Sequence, residues 1–290
     1  MLLQGVPNNE LVAHWINERW KRFQGKEIGV EYISPDYRMN QHRFCNVHRE
    51  NDKVTRALRK SWIKPEDNQD DLPFIAVLAR RFNKVASFIH LERPTVFTAD
   101  VLYPLFKEGT EANDGSTLVN TAAYRVGGLM SAYGGAPDGA RTHAWALANL
   151  TAQTWEVWKE LKLERKETLE ETHKDLMLLP GVGSFMSAQA VADLKHTQYL
   201  ANAPDWWTWA AIGPGSQRGL NRYFTGNLKG PVNQKNFLGY LHQMEEEVTP
   251  LVASEIPRIG AQDWQNVMCE LDKYLRKYEQ PNTGKPYRSR

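Results

Sequence analysis

Only two cysteines, Cys45 and Cys269, occur in 290 residues. They are too few for a disulfide framework, and a reduced, intracellular setting is expected. No Cys/His spacing has the rhythm of a zinc site. His42 and His48 share a segment with Cys45, but the paired ligands are missing. No apolar run is long enough to cross a bilayer as a helix, and no signal peptide opens the chain. A cytoplasmic protein with no membrane partner is expected, in the host cytoplasm if a phage encodes it. Charge of one sign is lacking as well. The formal net charge is +2, so any contact with nucleic acid must rest on a local site rather than on a global field. Residues 273–290 are locally basic, which also suits a solvated end. No Gly-x-x-x-x-Gly-Lys-Ser/Thr stretch occurs, which argues against an autonomous P-loop kinase.

What is present is helical periodicity. Leu11, Val12, Trp15, Ile16 and Trp20 recur on one face of a helix expected over 9–23, ending near Gly25. Further helices are expected over 52–62, over 73–81 with a continuation to 89, over 99–107, over 143–161, over 163–178 and over 187–194. Residues 108–116 and 131–142 are turn-rich, and the glycines of 127–138 suit a lid or a long loop. The pattern of 121–129 fits a strand or a short helix equally. Strand-like runs are few and short, so the chain reads as mostly α. One unit over 1–290 is expected, with two lobes meeting near residue 140 around a cleft as the finer reading.

One segment points to DNA. In Leu179-Pro180-Gly181-Val182-Gly183-Ser184, two glycines sit between two helices. Glycines permit a tight bend and a close backbone approach. Such a hairpin presents backbone N–H groups and a helix N-terminus, which suit a phosphate oxygen and carry no base information. Leu179, Gly181, Val182, Gly183 and Ser184 are therefore the candidate DNA contacts. An ordinary helix corner is the alternative.

Three further segments are dense in hydrogen-bonding groups. Residues 43–56 place Asn46, Arg49 and Glu50 among apolar residues, which suits a pocket reading a base edge or charged substituent, or a capped helix start. After Gly213-Pro214-Gly215, a helix is expected near Ser216, with Arg218 and Arg222 four apart on one face. Two adjacent guanidiniums suit a phosphate or pyrophosphate, or surface carboxylates. In Cys269-Glu270-Leu271-Asp272-Lys273-Tyr274, Glu270, Lys273 and Tyr274 fall within one helical turn, which a salt-bridged face also explains.

The hairpin resembles that of the helix-hairpin-helix DNA glycosylase superfamily. In that family an aspartate follows about two dozen residues later, and Asp205 stands at that place. Ser184, Phe185 and Met186 stand where the glycosylase lysine would lie. The four segments together resemble the phage thymine-hypermodification proteins. These include the α-glutamyl/putrescinyl thymine pyrophosphorylases and the helical domain associated with 5-hydroxymethyl-deoxyuridine DNA kinases. The resemblance spans about residues 41–274.

It implies a glycosylase-like helical fold acting on double-stranded DNA with a modified pyrimidine. A separate kinase would first activate the base as a pyrophosphate ester, and this chain would replace pyrophosphate with a small amine or amino acid. No cofactor is implied with certainty. Arg218 and Arg222, aided by Lys273 or a divalent cation, would neutralise the leaving group. Asp205 or Glu270 would take the amine's proton. Trp206, Trp207 and Trp209 are candidates to stack on a flipped base, with at least one of the three expected in the core. A glycosylase using Asp205, and a non-catalytic DNA-binding module of a 5-hmdU kinase system, are the alternatives.

Overall fold

The computed structural model describes residues 8–111 and 143–279, with Ala132, Gly134 and Gly135 between them. The undecided segment 121–129, nearly all of the glycine-rich stretch 131–142, and the basic end beyond 279 lie outside the described residues. The described chain is all helix and turn. In order the α-helices are α1 (Asn8–Glu27), α2 (Tyr37–Gln41), α3 (Lys53–Ser61), α4 (Leu72–Phe82), α5 (Val85–His90) and α6 (Ala99–Glu111). Then come α7 (His143–Leu161), α8 (Leu169–Leu176), α9 (Ser184–Leu194), α10 (Pro214–Thr225), α11 (Phe237–Val248) and α12 (Ala261–Glu279). Short 3-10 turns cover Arg49–Asn51 and Thr249–Leu251.

The chain forms two compact units, one of Met1–Asp52 with Trp207–Arg290 and one of Lys53–Trp206. The expected division near residue 140 falls inside the second. The crossings come instead at 52/53 and 206/207.

In the first unit the apolar stripe of α1 is buried as its spacing predicts. Leu11, Val12, Trp15, Ile16 and Trp20 join Leu241 and Met244 of α11 and Trp264, Val267 and Leu271 of α12 in one core. Glycine sets the approach of α10 to α12. A Cβ at Gly219 would overlap the Met268 carbonyl, and one at Gly215 the Cys269 sulfur. Four residues apart, the two glycines share one helix face, so they bring the backbones together. Pro214 opens α10 two residues earlier than Ser216 suggests, and the Ser216 hydroxyl accepts from Gly213 N–H at 3.1 Å.

In the second unit every residue of α4 is buried. Its two arginines are held by neighbours. Arg80 Nε donates to Asp193 Oδ2 of α9 at 2.6 Å, and Arg81 Nη2 donates to Thr154 Oγ1 and to the Pro180 carbonyl, both at 2.9 Å. Asn83 in the left-handed region (φ 46°) ends α4, so the expected continuation to 89 is broken and α5 starts afresh. Trp155 of α7 packs on Phe74 and Phe97, with ring centres 4.9 and 4.7 Å apart. α8 starts at Leu169, six residues later than expected. Lys162 (φ 43°) terminates α7, and Thr168 caps α8 by accepting from Glu171 N–H.

Candidate functional site

The bend between α8 and α9 is anchored from inside and open outside. Leu179 and Val182 are buried, whereas Gly181 and Gly183 are exposed. Gly181 takes φ +72°, and nothing stands within 4 Å of a Cβ built on Gly183. Gly183 is the N-cap of α9, so the first amides of α9 lack intrahelical partners. The bend is held by Arg81 at Pro180 and by His173, whose Nε2 lies 3.0 Å from the Ser184 carbonyl and 3.3 Å from its hydroxyl. Burial lowers the His173 pKa, with the Ser184 bond opposing.

Asp205, also in this unit, has a defined task. Its Oδ1 accepts from Leu169 N–H at 2.8 Å and its Oδ2 from Glu170 N–H at 3.0 Å. Both oxygens therefore satisfy orphan amides at the start of α8. The sequence reading assigned this carboxylate to chemistry and missed its capping contacts. Pro204, just before it, lines an open groove of about 460 Å³ with Arg165, Gln198, Tyr199 and Asn202.

The first unit gathers the other candidates along α12. Glu270 is 8 % exposed, and its Oε2 accepts from Cys45 N–H and from Lys273 Nζ, each at 3.2 Å. Lys273 Nζ also donates to the Arg43 carbonyl at 2.6 Å and lies 4.9 Å from the centre of the Phe44 ring. Segment 43–52 is pinned below by Arg19 of α1. This buried guanidinium donates from Nε to the Cys45 carbonyl at 3.0 Å and from Nη2 to the Asn46 carbonyl at 2.7 Å. Burial lowers the Arg19 pKa, and Glu270, Asp52 and Asp263 oppose it. Asn46 is spent on closing its own loop, with N–H to Asp52 Oδ1 and Nδ2 to the Asn51 carbonyl, both at 2.8 Å. Burial raises the Asp52 pKa against that bond. Arg49 N–H donates to Asp263 Oδ1 at 3.0 Å, and half-buried Glu50 sits in the same 3-10 turn. Burial also pushes both the Cys45 and Cys269 thiols up, so neither is an activated nucleophile.

Two residues beyond Glu270 on α12, three arginines share the Asp272 carboxylate. Asp272 is fully buried. Its Oδ2 receives Arg218 Nε at 3.0 Å and Nη2 at 2.9 Å, and lies 3.3 Å from Arg276 Nε. Its Oδ1 receives Arg222 Nε at 3.2 Å. Arg222 is 3 % exposed, against 35 % for Arg218 and 52 % for Arg276. The expected pair therefore divides: Arg218 reaches the surface, and Arg222 is buried with its guanidinium on Asp272. Sequence reasoning missed Asp272 and Arg276 as members of this cluster, and Arg19 as the support of segment 43–52. The usable signal was Arg19, a cation on the apolar face of α1.

Residues 7–283 match the family model described as 5-hmdU DNA kinase, helical domain. The chain belongs to that family. The match ties it to thymine modification in DNA. No curated protein and no solved structure matches the chain.

Within this 5-hmdU kinase helical domain the tryptophans divide. Trp206 donates from Nε1 to the Lys195 carbonyl at 2.7 Å, and Lys195 Nζ lies 4.2 Å from its ring centre. That half-buried ring packs on Lys195 and His196 within the second unit. Trp207 in the first unit is 38 % exposed, with Arg258 4.4 Å from its ring centre. Trp209 is buried. Among the described residues, no cluster of three or more His, Cys, Asp or Glu has the arrangement of metal ligands, and no helix is long and apolar enough to cross a membrane.

Proposed function

We propose that this chain replaces pyrophosphate on 5-(pyrophosphomethyl)deoxyuridine in double-stranded DNA with an amine or amino acid, on a helix-hairpin-helix, glycosylase-like scaffold. A separate kinase supplies the activated base. The observation that carries this reading is the set of groups along α12: a carboxylate at Glu270, an ammonium at Lys273 beside it, and an arginine cluster on Asp272 of the same helix.

In the reaction the amine nitrogen bonds to the exocyclic carbon as the carbon–oxygen bond breaks. Pyrophosphate leaves with the bonding electrons. The proton released by the amine passes to Glu270 as general base. Lys273 and the exposed arginine edge stabilise the charge that grows on the leaving group. The bend at Gly181 and Gly183 holds the DNA backbone through amides, with Leu179 and Val182 as its buried anchors and Ser184 opening α9.

Asp205 is the weaker candidate, because both of its oxygens already accept backbone amides. A glycosylase built on Asp205 loses support for the same reason. The non-catalytic binding module is the second reading. It is favoured by the protein partners that Glu270, Arg218 and Arg222 already have.

The test is mass spectrometry of nucleosides from pyrophosphomethyl-uracil DNA incubated with the chain and candidate amines. The proposal expects the mass of an amine gained and pyrophosphate released, with Glu270→Gln losing turnover but keeping DNA affinity. Abasic sites with free base would assign a glycosylase. DNA binding with neither product would assign a binding module.

A further inference from the structure

We propose that Arg276, together with Arg218, forms a terminal-phosphate site that Asp272 organises at the surface where α10 meets α12. The inference takes its substrate from the reading above and adds the residues that recognise the leaving group.

The argument begins with charge. A buried carboxylate needs a cationic partner, and one well-placed guanidinium suffices. Arg222, almost fully buried, is the natural candidate for that role. Asp272 nevertheless holds two more guanidiniums, both partly in solvent. Among the described residues Asp272 thus draws three guanidiniums, two of which reach solvent. The adjacent Lys273 and Glu270 pair with each other.

Geometry gives the two solvent-reaching guanidiniums a direction. Arg218 turns Nε and Nη2 onto one oxygen of Asp272, which fixes the plane of its guanidinium and leaves Nη1 outside that contact. Arg276 touches the same oxygen through Nε and is half exposed. Arg276 lies four residues after Asp272 on one helix, so a helical turn sets its position. Two guanidiniums are thus anchored at one end with donor edges facing solvent. That arrangement suits the planar, multidentate recognition of a phosphate group. An anchored fork also loses less side-chain freedom on binding than a free surface arginine.

Phosphate oxygens could come from a terminal pyrophosphate or from the DNA backbone. The proposal commits to the terminal phosphates. The experiment is titration calorimetry of the full chain and its Arg276→Gln and Arg276→Lys variants with inorganic pyrophosphate, and separately with unmodified duplex DNA. The exposed position leaves folding intact, which thermal denaturation checks. The expected result is pyrophosphate binding weakened about tenfold by Arg276→Gln, with partial recovery in Arg276→Lys and unmodified DNA affinity little changed. Equal pyrophosphate affinity in parent and Arg276→Gln, or no binding by the parent, overturns the site. Loss confined to unmodified DNA overturns it too, by assigning Arg276 to the backbone. An overturning result removes the arginine edge from leaving-group recognition, while the amine-transfer reading is tested separately by the nucleoside products.

Discussion

A side chain's contacts decide what it is free to do, and Asp205 is the clearest example. Its oxygens complete the first turn of α8. Asp205→Ala is expected to cost about 1–2 kcal/mol of stability, seen as a lower denaturation midpoint, while folded protein keeps its turnover. A folded variant with normal DNA binding and no turnover would return Asp205 to the chemistry. The glycines make the opposite pair. At Gly219 a methyl group meets backbone of α12, and Gly219→Ala is expected to destabilise by about 1–3 kcal/mol. At Gly183 there is open space and φ −94°. A bulky residue there should leave the midpoint alone and weaken DNA binding several-fold by blocking backbone approach, as fluorescence anisotropy would report.

At the scale of elements, the stretch from α8 to α9 depends on an imidazole. His173 is buried against Ser184, and burial holds its pKa below the ordinary value. The unfolded chain therefore binds that proton first. The contribution to stability is whole above about pH 6.5 and is lost as the pH falls from there towards the lower folded-state value. Thermal midpoints from pH 7.5 down to 5.5 should fall, and less steeply in His173→Asn. Because burial also lowers the His143 pKa, the difference between variant and parent is the informative quantity.

The same elements show how far pattern alone reaches. α1 and α7 were legible because tryptophan and aliphatic residues repeat at helical spacing, and α7 has the predicted bounds. The start of α8 was not, because a left-handed Lys162 and a capping Thr168 outweigh a continuous run of helix-forming residues. α11 went unread although Phe237, Leu241, Met244 and Val248 mark its buried face. Of the candidate site, the α12 residues were legible by spacing. Arg19 was not, since its partners lie 26 and 27 residues away along the chain, whereas the Asp272–Arg276 pair at i,i+4 was open to the same spacing argument and went unread.

At the scale of the whole molecule, the chain enters one unit, leaves it after Asp52 and returns at Trp207. Segments 213–222 and 268–276 belong to that unit together with residues 43–52 of the segment 43–56, while the bend and Asp205 belong to the other. Function is then divisible by experiment. Changes at Glu270 should touch turnover, and changes at Gly183 should touch DNA affinity. Assaying both variants for both properties measures that independence.

The interrupted path also orders events on the ribosome. At roughly 5–20 residues per second, the stretch from 53 to 206 takes about 8–30 s to emerge. During that interval the Trp15 and Trp20 face has been synthesised but α11 and α12 have not. Nascent chains arrested before residue 237 should display that aromatic face to chaperones, and chains released after residue 279 should hide it.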